Sequence, residues 1–339
     1  MNKGKILVTG GCGYIGSHTI VDLLNNGFEV VCVDNLINAN EDALAGIEKI
    51  TGVQIPNHNI DLADRVATLA FFAEHVFDGV IHFAALKAVG ESVEKPLEYF
   101  RNNLNSLLNV IEGQAERGNL VFSSSCSVYG NADELPVTES TPRKDAESPY
   151  ARTKQMGEDI LQDYCRAHPD FATVLLRYFN PAGAHESAAI GESPNSPPSN
   201  LVPVITEVAI GKRKELVVFG DDYDTRDGSC IRDFIHVMDL AHAHTLALEY
   251  LLANRATENP SLFNLGIGTG LTVLEIIKAF EVSTQQKLNY RIGPRRAGDV
   301  VAVYADRTHA EKELGWRPER DVNHIMSTAW AWEQARSIG

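Results

Sequence analysis

A chain of 339 residues is long enough for a large core arranged as two joined lobes. Its 30 lysines and arginines against 45 aspartates and glutamates give a formal net charge of −15, which argues against nucleic acid or an anionic membrane as the main partner. The 5 cysteines are scattered, no apolar run approaches transmembrane length, and a strand begins almost at the N-terminus. We therefore expect a cytoplasmic protein with free thiols.

The first predicted elements form a dinucleotide-binding unit. Residues 5–9 are an apolar run typical of a buried strand, and Gly10, Gly13 and Gly16 follow with two residues in each gap. Gly10 permits a turn with positive φ, and Gly13 lets the backbone approach a pyrophosphate. Gly16 lets the next helix pack closely on the strand, with its N-terminus facing the anion. A helical pattern then extends to residue 24.

The second predicted strand, residues 28–33, is followed by Asp34. A carboxylate at this place accepts hydrogen bonds from an adenosine ribose and repels a 2′-phosphate, so it favours NAD over NADP. An ordinary glycine-rich turn is the alternative for the three glycines alone. The complete order of strand, glycines, helix, strand and acid resembles the short-chain dehydrogenase/reductase superfamily.

Helices and strands continue to alternate through the first half of the chain. Helices are predicted at about 65–76, 97–116 and 149–168, and strands at 79–83, 119–123 and 173–178. This pattern predicts an α/β fold with a Rossmann-type doubly wound parallel sheet. Beyond residue 180 the loops become long and polar. We therefore expect an NAD-binding domain at 1–180 and a smaller mixed α/β substrate-binding domain at 181–339, with some segments returning to the first domain and a ligand cleft between them.

A tyrosine and a lysine begin the predicted helix at 149–168. Tyr150 and Lys154 are four residues apart and share one helix face. This spacing alone is weak, because a solvated helix face is its usual explanation. However, the strand before it ends in serines that include Ser125, and strand ends and helix starts face the ligand crevice in such a sheet. We therefore predict that Tyr150 is a catalytic base.

The pKa of a tyrosine, about 10 when unperturbed, must fall by about three units for this role. One adjacent cation typically supplies about one to three units, so Lys154 alone can fall short. The positive nicotinamide ring of NAD⁺ is expected to supply the remainder.

An acidic chain that binds an anionic substrate needs a local cluster of cations. Arg232, Arg295 and Arg296 are the candidates, since guanidinium groups suit phosphate recognition. No metal site is predicted. The stretch 222–228 superficially resembles a calcium loop, but Arg226 takes a ligand position, and we interpret the stretch as a polar loop on the substrate side.

Five motifs together identify a family resemblance: residues 10–18, 83–92, 123–130, 177–184 and 232–237. In this order they resemble the UDP-glucose 4-epimerases (UDP-galactose 4-epimerases) of the extended short-chain dehydrogenase/reductase superfamily, essentially from end to end. The resemblance implies an isomerase that uses tightly bound NAD and interconverts UDP-glucose and UDP-galactose. It implies a transient oxidation at sugar C4, giving a 4-keto sugar that turns over and is reduced on its other face. It also implies a homodimer with a part in galactose metabolism.

The resemblance assigns roles by position. Tyr150 matches the catalytic base, Lys154 the residue that lowers its pKa, and Ser125 the hydroxyl that bonds the sugar O4. The NAD contacts match Gly10, Gly13, Tyr14, Ile15, Gly16, Asp34, Asn35, Asn38, Asp61, Leu62, Phe83, Ala84, Lys87, Asn102, Ser125, Tyr150, Lys154 and Phe179. The UDP-sugar contacts match Lys87, Ser125, Tyr150, Asn180, Asn200, Leu201, Val217, Phe219, Arg232, Arg296, Asp299 and Val303.

Val303 departs from part of the family. It matches a position near the sugar that is either large and aromatic or small in the family, and the large residue restricts 2-acetamido sugars. A small side chain leaves space on the scale of an acetamido group, which predicts activity on UDP-N-acetylglucosamine and UDP-N-acetylgalactosamine. The alternative is that Val303 packs a core strand and another residue closes the pocket.

Three other functions are alternatives. Nucleotide-sugar 4,6-dehydratases need an Asp-Glu pair after the strand serine or threonine, and here Cys126 and Ser127 follow Ser125. An epimerase of another UDP-sugar remains open. A non-catalytic NAD-sensing protein predicts loss of Tyr150 or Lys154, and both are present.

Two apolar patterns allow more than one interpretation. The long helix carries Leu97, Phe100, Leu104, Leu107 or Leu108 and Ile111 at helical spacing, and the next helix carries Met156, Ile160 and Tyr164. Core packing explains most of the first stripe, and a dimer interface is the alternative. Near the C-terminus, Trp330 and Trp332 are expected on an exposed helix.

Overall fold

The computed structural model describes residues 2–195, 198–296 and 299–338. Its strands are β1 (Lys5–Thr9), β2 (Glu29–Val33), β3 (Asn57–His58), β4 (Gly79–His82), β5 (Leu120–Ser123), β6 (Thr173–Tyr178), β7 (Asn180–Ala182), β8 (Leu216–Phe219), β9 (Ile231–Arg232), β10 (Phe234–His236), β11 (Ser261–Leu265), β12 (Leu271–Thr272), β13 (Tyr290–Gly293) and β14 (Ala302–Val303).

Its helices are α1 (Tyr14–Asn25), α2 (Asp42–Thr51), α3 (Arg65–Glu74), α4 (Val89–Glu94), α5 (Pro96–Gln114), α6 (Pro149–Ala167), α7 (Leu201–Ala209), α8 (Val237–Leu252), α9 (Val273–Thr284), α10 (Thr308–Leu314) and α11 (Val322–Ile338). The predicted helices of the first half are all present, with ends shifted by one or two residues because terminal turns have weak sequence signals.

Seven parallel strands form the central sheet, in the order β11-β6-β5-β4-β1-β2-β3. This confirms the predicted Rossmann-type doubly wound fold. Ile6, Leu7 and Val8 of β1 are fully buried, because helices cover both faces of a parallel sheet. The strand order reverses between β1 and β4, and a ligand crevice opens beyond the carboxyl ends of the strands at such a point.

The second half of the chain contributes to both parts of the molecule. Strand β11 pairs with β6 in the central sheet, and α8 packs against α1. The rest forms a separate apolar cluster that includes Ile205 of α7, Phe280 of α9 and Ile325 of α11. It also carries small sheets in which β7 pairs with β10, β8 with β13, and β9 with β12 and β14. The division at residue 180 stays a prediction.

The tryptophan expectation is wrong. Trp330 packs edge-on against Phe280 at 5.8 Å between ring centroids, and Trp332 donates Nε1 to the carbonyl of Glu192 at 2.9 Å. Both side chains are half-buried. Within the described residues, no helix combines the length and apolar character needed to cross a membrane.

Candidate active site

A cavity of about 1020 Å³ lies at the carboxyl ends of the strands and extends between the two parts of the chain. All the residues predicted to contact NAD line it, as do the predicted UDP-sugar residues except Val303. The structure therefore gathers residues from many separate segments around a single cavity. Their roles stay predictions.

The glycine loop gives one wall of this cavity its shape. Gly10 has φ of 68°, a conformation that favours glycine, and a Cβ there would lie 2.9 Å from the backbone nitrogen of Ala84. A Cβ on Gly16 would collide with the Gly10 carbonyl oxygen. Gly13 precedes α1 without a side-chain cap, so no side chain covers the first amides of that helix. This uncapped N-terminus at the cavity fits a pyrophosphate group.

Asp34 lies at the carboxyl end of β2, and only 9% of it is exposed. Its carboxylate accepts hydrogen bonds from the backbone nitrogens of Leu36 at 2.8 Å and Cys12 at 3.1 Å. Burial raises the pKa of Asp34, and these backbone donors act in the opposite direction. The carboxylate is thus held at the cavity wall, where it can accept hydrogen bonds from a ribose.

Tyr150, Lys154 and Ser125 line the same cavity. Ser148 caps α6 by accepting a hydrogen bond from the Ala151 nitrogen at 3.2 Å, which fixes the first turn of the helix. The Lys154 ammonium donates to the Ser123 carbonyl at 2.6 Å and lies 6.0 Å from the centroid of the Tyr150 ring.

Burial is the main influence on the pKa values of Tyr150 and Lys154. Burial raises the pKa of Tyr150 well above its ordinary value, and Ser125 acts in the opposite direction by stabilising the phenolate. Burial lowers the pKa of Lys154 to about 8. The protein groups alone do not produce the lowered Tyr150 pKa expected from Lys154, because the loss of hydration dominates the pKa of this phenol.

Two arginines of the cavity lining, Arg232 and Arg296, pair with the carboxylate of Asp299, which also lines the cavity. Arg296 donates Nη2 to Asp299 Oδ1 at 2.7 Å, and Arg232 Nη2 lies 3.4 Å from the same oxygen. The two guanidinium charges exceed the single negative charge of Asp299. This part of the cavity therefore keeps a net positive charge that suits a phosphate. Arg295, the third candidate, does not line the cavity. Its Nε instead donates to Asp222 at 2.7 Å.

Val303 lies away from the cavity wall. It is 8% exposed and packs in an apolar cluster with Val128, Tyr129, Val137, Phe179 and Ala305. Of these neighbours, Phe179 lines the cavity. Val303 does not line the cavity, because β14 pairs with β9 in a core position. Its contact with the sugar stays a prediction. Residues 297 and 298, in the same segment, lie outside the described residues.

Sequence reasoning missed other lining residues. Glu192 faces two predicted ligand residues: its Oε1 lies 3.6 Å from the Lys87 ammonium and accepts from Asn200 Nδ2 at 3.2 Å. Tyr178 bonds the Ser123 hydroxyl at 2.6 Å. Tyr178 ends a predicted strand and was identifiable from that position. Glu192 lies in a polar loop whose path the sequence pattern does not reveal.

Comparisons with known proteins agree with this geometry. The chain matches the family model for GDP-mannose 4,6 dehydratase over residues 7–329. A UDP-glucose 4-epimerase of Erwinia amylovora is 48% identical over 337 residues, 99% of each chain. The structure of UDP-glucose 4-epimerase from Bifidobacterium longum with NAD⁺ and UDP has a TM-score of 0.93 at 45% identity, covering 98% of this chain and 99% of that one. The Stenotrophomonas maltophila enzyme, with NAD and formylated UDP-arabinopyranose, has a TM-score of 0.95 at 45% identity and covers 99% of both chains.

Proposed function

The chain belongs to the UDP-glucose 4-epimerase family of the extended short-chain dehydrogenase/reductase superfamily, and from this premise we propose which residues perform its reaction. It is an NAD-dependent isomerase that interconverts UDP-glucose and UDP-galactose. The observation that supports the assignment of roles is that Ser125, Tyr150 and Lys154 line the same cavity as the glycine loop. The description of the matching family model names a dehydratase, but Cys126 and Ser127 stand where an elimination needs two acids.

The glycine loop, the start of α1 and Asp34 fit NAD. The glycine loop and the N-terminus of α1 would hold the pyrophosphate, and Asp34 would accept hydrogen bonds from the adenosine ribose. When bound, NAD would supply the hydride acceptor and donor for sugar C4 and a positive charge in the cavity that Tyr150 lines. We propose that the cofactor binds tightly and is retained through purification.

The chain's own contribution is proton transfer at the sugar. Tyr150 takes the proton from the 4-hydroxyl and returns it, while Ser125 holds the sugar oxygen in place. Burial raises the pKa of Tyr150, and the positive charge of bound NAD⁺ would act in the opposite direction. The base therefore becomes active only in the assembled site, which couples proton removal to hydride transfer.

Substrate binding is proposed to be concentrated on the UDP half. Arg232 and Arg296 would contact the diphosphate, with Asp299 orienting both guanidinium groups. The 4-keto sugar must turn over within the site, and a sugar held by many strong contacts could not do so. Binding energy from the remote nucleotide therefore retains the intermediate without fixing the sugar.

We propose that the enzyme also interconverts UDP-N-acetylglucosamine and UDP-N-acetylgalactosamine, because the packing of Val303 affects the cavity through a neighbouring residue. Val303 packs in the same cluster as Phe179, which lines the cavity. A large aromatic side chain at 303 would overpack this cluster and push Phe179 inward, whereas valine leaves it in place. The sugar end of the cavity therefore stays wide enough for an acetamido group.

A homodimer is proposed from the surface of α5 and α6. Leu97 and Leu108 of α5 are 66% and 46% exposed, so core packing does not explain this part of the stripe, although Leu107 and Ile111 are buried as predicted. Phe100, Leu104, Met156, Ile160 and Tyr164 are half-buried on the same two helices, which pack together. Helices α5 and α6 of two copies would cover these apolar side chains. We further propose a cytoplasmic location and a role in galactose metabolism.

The experiment that tests this function uses purified protein without added cofactor. Incubation with UDP-galactose should give UDP-glucose, and acid extraction should release NAD with little NADP. Mass spectrometry identifies dehydratase activity, because its product is lighter by one water. Failure to interconvert the two hexoses, with or without added NAD, would refute the proposal.

A further inference from the structure

A buried ion pair lies beside the proposed active site and has no assigned role in the reaction. The side chains of Arg177 and Glu158 are 6% and 4% exposed. Arg177 donates Nε and Nη2 to the two carboxylate oxygens of Glu158 at 2.8 and 2.6 Å, and Ser124 donates its hydroxyl at 2.5 Å. A buried ion pair is weak evidence of added stability, since desolvation offsets its attraction. The hydrogen bond between Glu158 and Ser124 indicates a role in positioning the catalytic residues.

Glu158 connects elements that carry the catalytic groups. It follows Tyr150 and Lys154 at four-residue steps on α6, so the three side chains project from one face. Lys154 donates to the Ser123 carbonyl at 2.6 Å, and Glu158 holds the hydroxyl of the next residue, Ser124. The residue after that is Ser125. Lys154 and Glu158 of α6 thus form hydrogen bonds to the two residues immediately before Ser125, whose hydroxyl is predicted to contact the substrate.

We propose that Glu158 is a positioning residue for the epimerase reaction: it fixes the backbone before Ser125 and supplies the negative charge that keeps the buried Lys154 ammonium protonated. This inference rests on the proposed function and extends it to a residue outside the cavity lining. Arg177, on β6, forms a bidentate ion pair with the Glu158 carboxylate, and this geometry fixes the orientation of the carboxylate.

The surroundings of Lys154 explain why it needs such a charge. Its ammonium lies 4.9 Å from the centroid of the Phe122 ring and 6.0 Å from that of Tyr150. Burial lowers the pKa of Lys154 to about 8, and Glu158 acts in the opposite direction. A buried lysine without a nearby carboxylate would release its proton at lower pH.

The other titratable groups around Lys154 do not supply that negative charge. Burial lowers the pKa of His82 on β4 to about 3, so it is neutral. Burial raises the pKa values of neighbouring phenols and a thiol, which therefore stay protonated: Tyr99 of α5, Tyr150 of α6, Tyr178 of β6, to about 12, and Cys126, to about 12. Arg177 and Arg143, which both pair with Glu158, are permanent cations. Within the part of the chain that the structure describes, Glu158 is the anion that acts on Lys154.

The pH dependence of kcat/KM separates this role from a merely structural one. Glu158→Gln keeps the size of the side chain and removes its charge, while Glu158→Asp keeps the charge. Asp163→Asn is the matched control, because Asp163 also lies on α6, is 77% exposed and pairs with Arg166 away from Glu158. NAD content and thermal unfolding are measured for every variant.

For Glu158→Gln we expect the descending limb of the profile to move to lower pH than in the wild type, by about one unit or more. A shift of one unit means about a tenfold lower kcat/KM on that limb. Glu158→Asp should restore the position of the limb, and Asp163→Asn should leave it unchanged. An unmoved limb in a folded Glu158→Gln protein that contains NAD would overturn the inference.

A second variant tests the positioning half and does not depend on the folding of Glu158→Gln. Ser124→Ala removes the hydroxyl and keeps the carboxylate, so kcat should fall while KM for UDP-galactose and the pH limb stay in place. Wild-type kcat in Ser124→Ala would refute the positioning role. If the wild-type protein itself fails to interconvert UDP-hexoses, the proposed function has failed, which is a separate outcome.

Discussion

Replacing Asp34 with asparagine should change the cofactor preference of the chain. The carboxylate stands at the carboxyl end of β2 and is held by the backbone nitrogens of Cys12 and Leu36 at 3.1 and 2.8 Å. A 2′-phosphate on the adenosine ribose would meet this fixed negative charge. The variant removes the charge and leaves nearly the same volume.

The size of the effect follows from the charges. Two unit charges about 4 Å apart repel by about 4 kcal/mol at an effective dielectric constant of about 20, and partial solvent access reduces this to about 2–4 kcal/mol. Since about 1.4 kcal/mol is tenfold, the affinity for NADP relative to NAD should rise about 30- to 700-fold. NAD itself should bind more weakly, because the ribose loses a charged acceptor and the amide must turn its NH₂ toward a backbone donor.

The assay is a competition between the two cofactors. The variant is dialysed against an excess of NAD and NADP at equal concentrations until the ratio of the bound nucleotides no longer changes, and these are then extracted and quantified. Glu29→Gln is the control, because it removes the same charge from the opposite, exposed end of β2. An unchanged NAD-to-NADP ratio in a folded Asp34→Asn protein would refute the reasoning.

Three further predictions concern the substrate and the assembly. Arg232→Met should weaken UDP binding about 10- to 150-fold by calorimetry, since a hydrogen bond to a charged group contributes about 1.5–3 kcal/mol; Arg295→Met, away from the cavity, should bind UDP like the wild type, and equal effects would contradict the assignment. Leu104→Glu should convert a dimer to a monomer in sedimentation analysis, whereas Val282→Glu, on the exposed face of α9, should not; a monomeric wild type would exclude the proposed interface. The wild type should epimerise UDP-N-acetylglucosamine as well as UDP-glucose, and Val303→Tyr should lose only the acetamido activity; a wild type restricted to plain hexoses would show that Val303 does not widen the pocket.

How much of the site could be predicted depends on how local each signal is. Gly10, Gly16 and Asp34 belong to a single strand-turn-helix-strand unit, so short-range spacing indicates their positions. Tyr150 and Lys154 are fixed by helical spacing and by the parallel sheet, which brings their helix start to the ligand crevice.

Other features depend on contacts between distant segments. Glu192 meets Lys87 and Asn200 only because the polar loop folds back over the cavity. Val303 is buried and does not line the cavity, because β14 pairs with β9. A strand of two residues gives almost no periodic signal, so the sequence does not reveal this pairing. The balance of burial and charge at Tyr150 likewise depends on the packed environment, which spacing does not reveal.

The most direct test of the account is the turnover of Tyr150→Phe with UDP-galactose, measured beside Tyr290→Phe, which removes a hydroxyl from an exposed tyrosine on β13. The account predicts that Tyr150→Phe folds, retains NAD and loses about 10²- to 10⁴-fold in kcat, the usual contribution of a positioned acid or base, while Tyr290→Phe matches the wild type. Wild-type turnover in a folded Tyr150→Phe protein that contains NAD would contradict it.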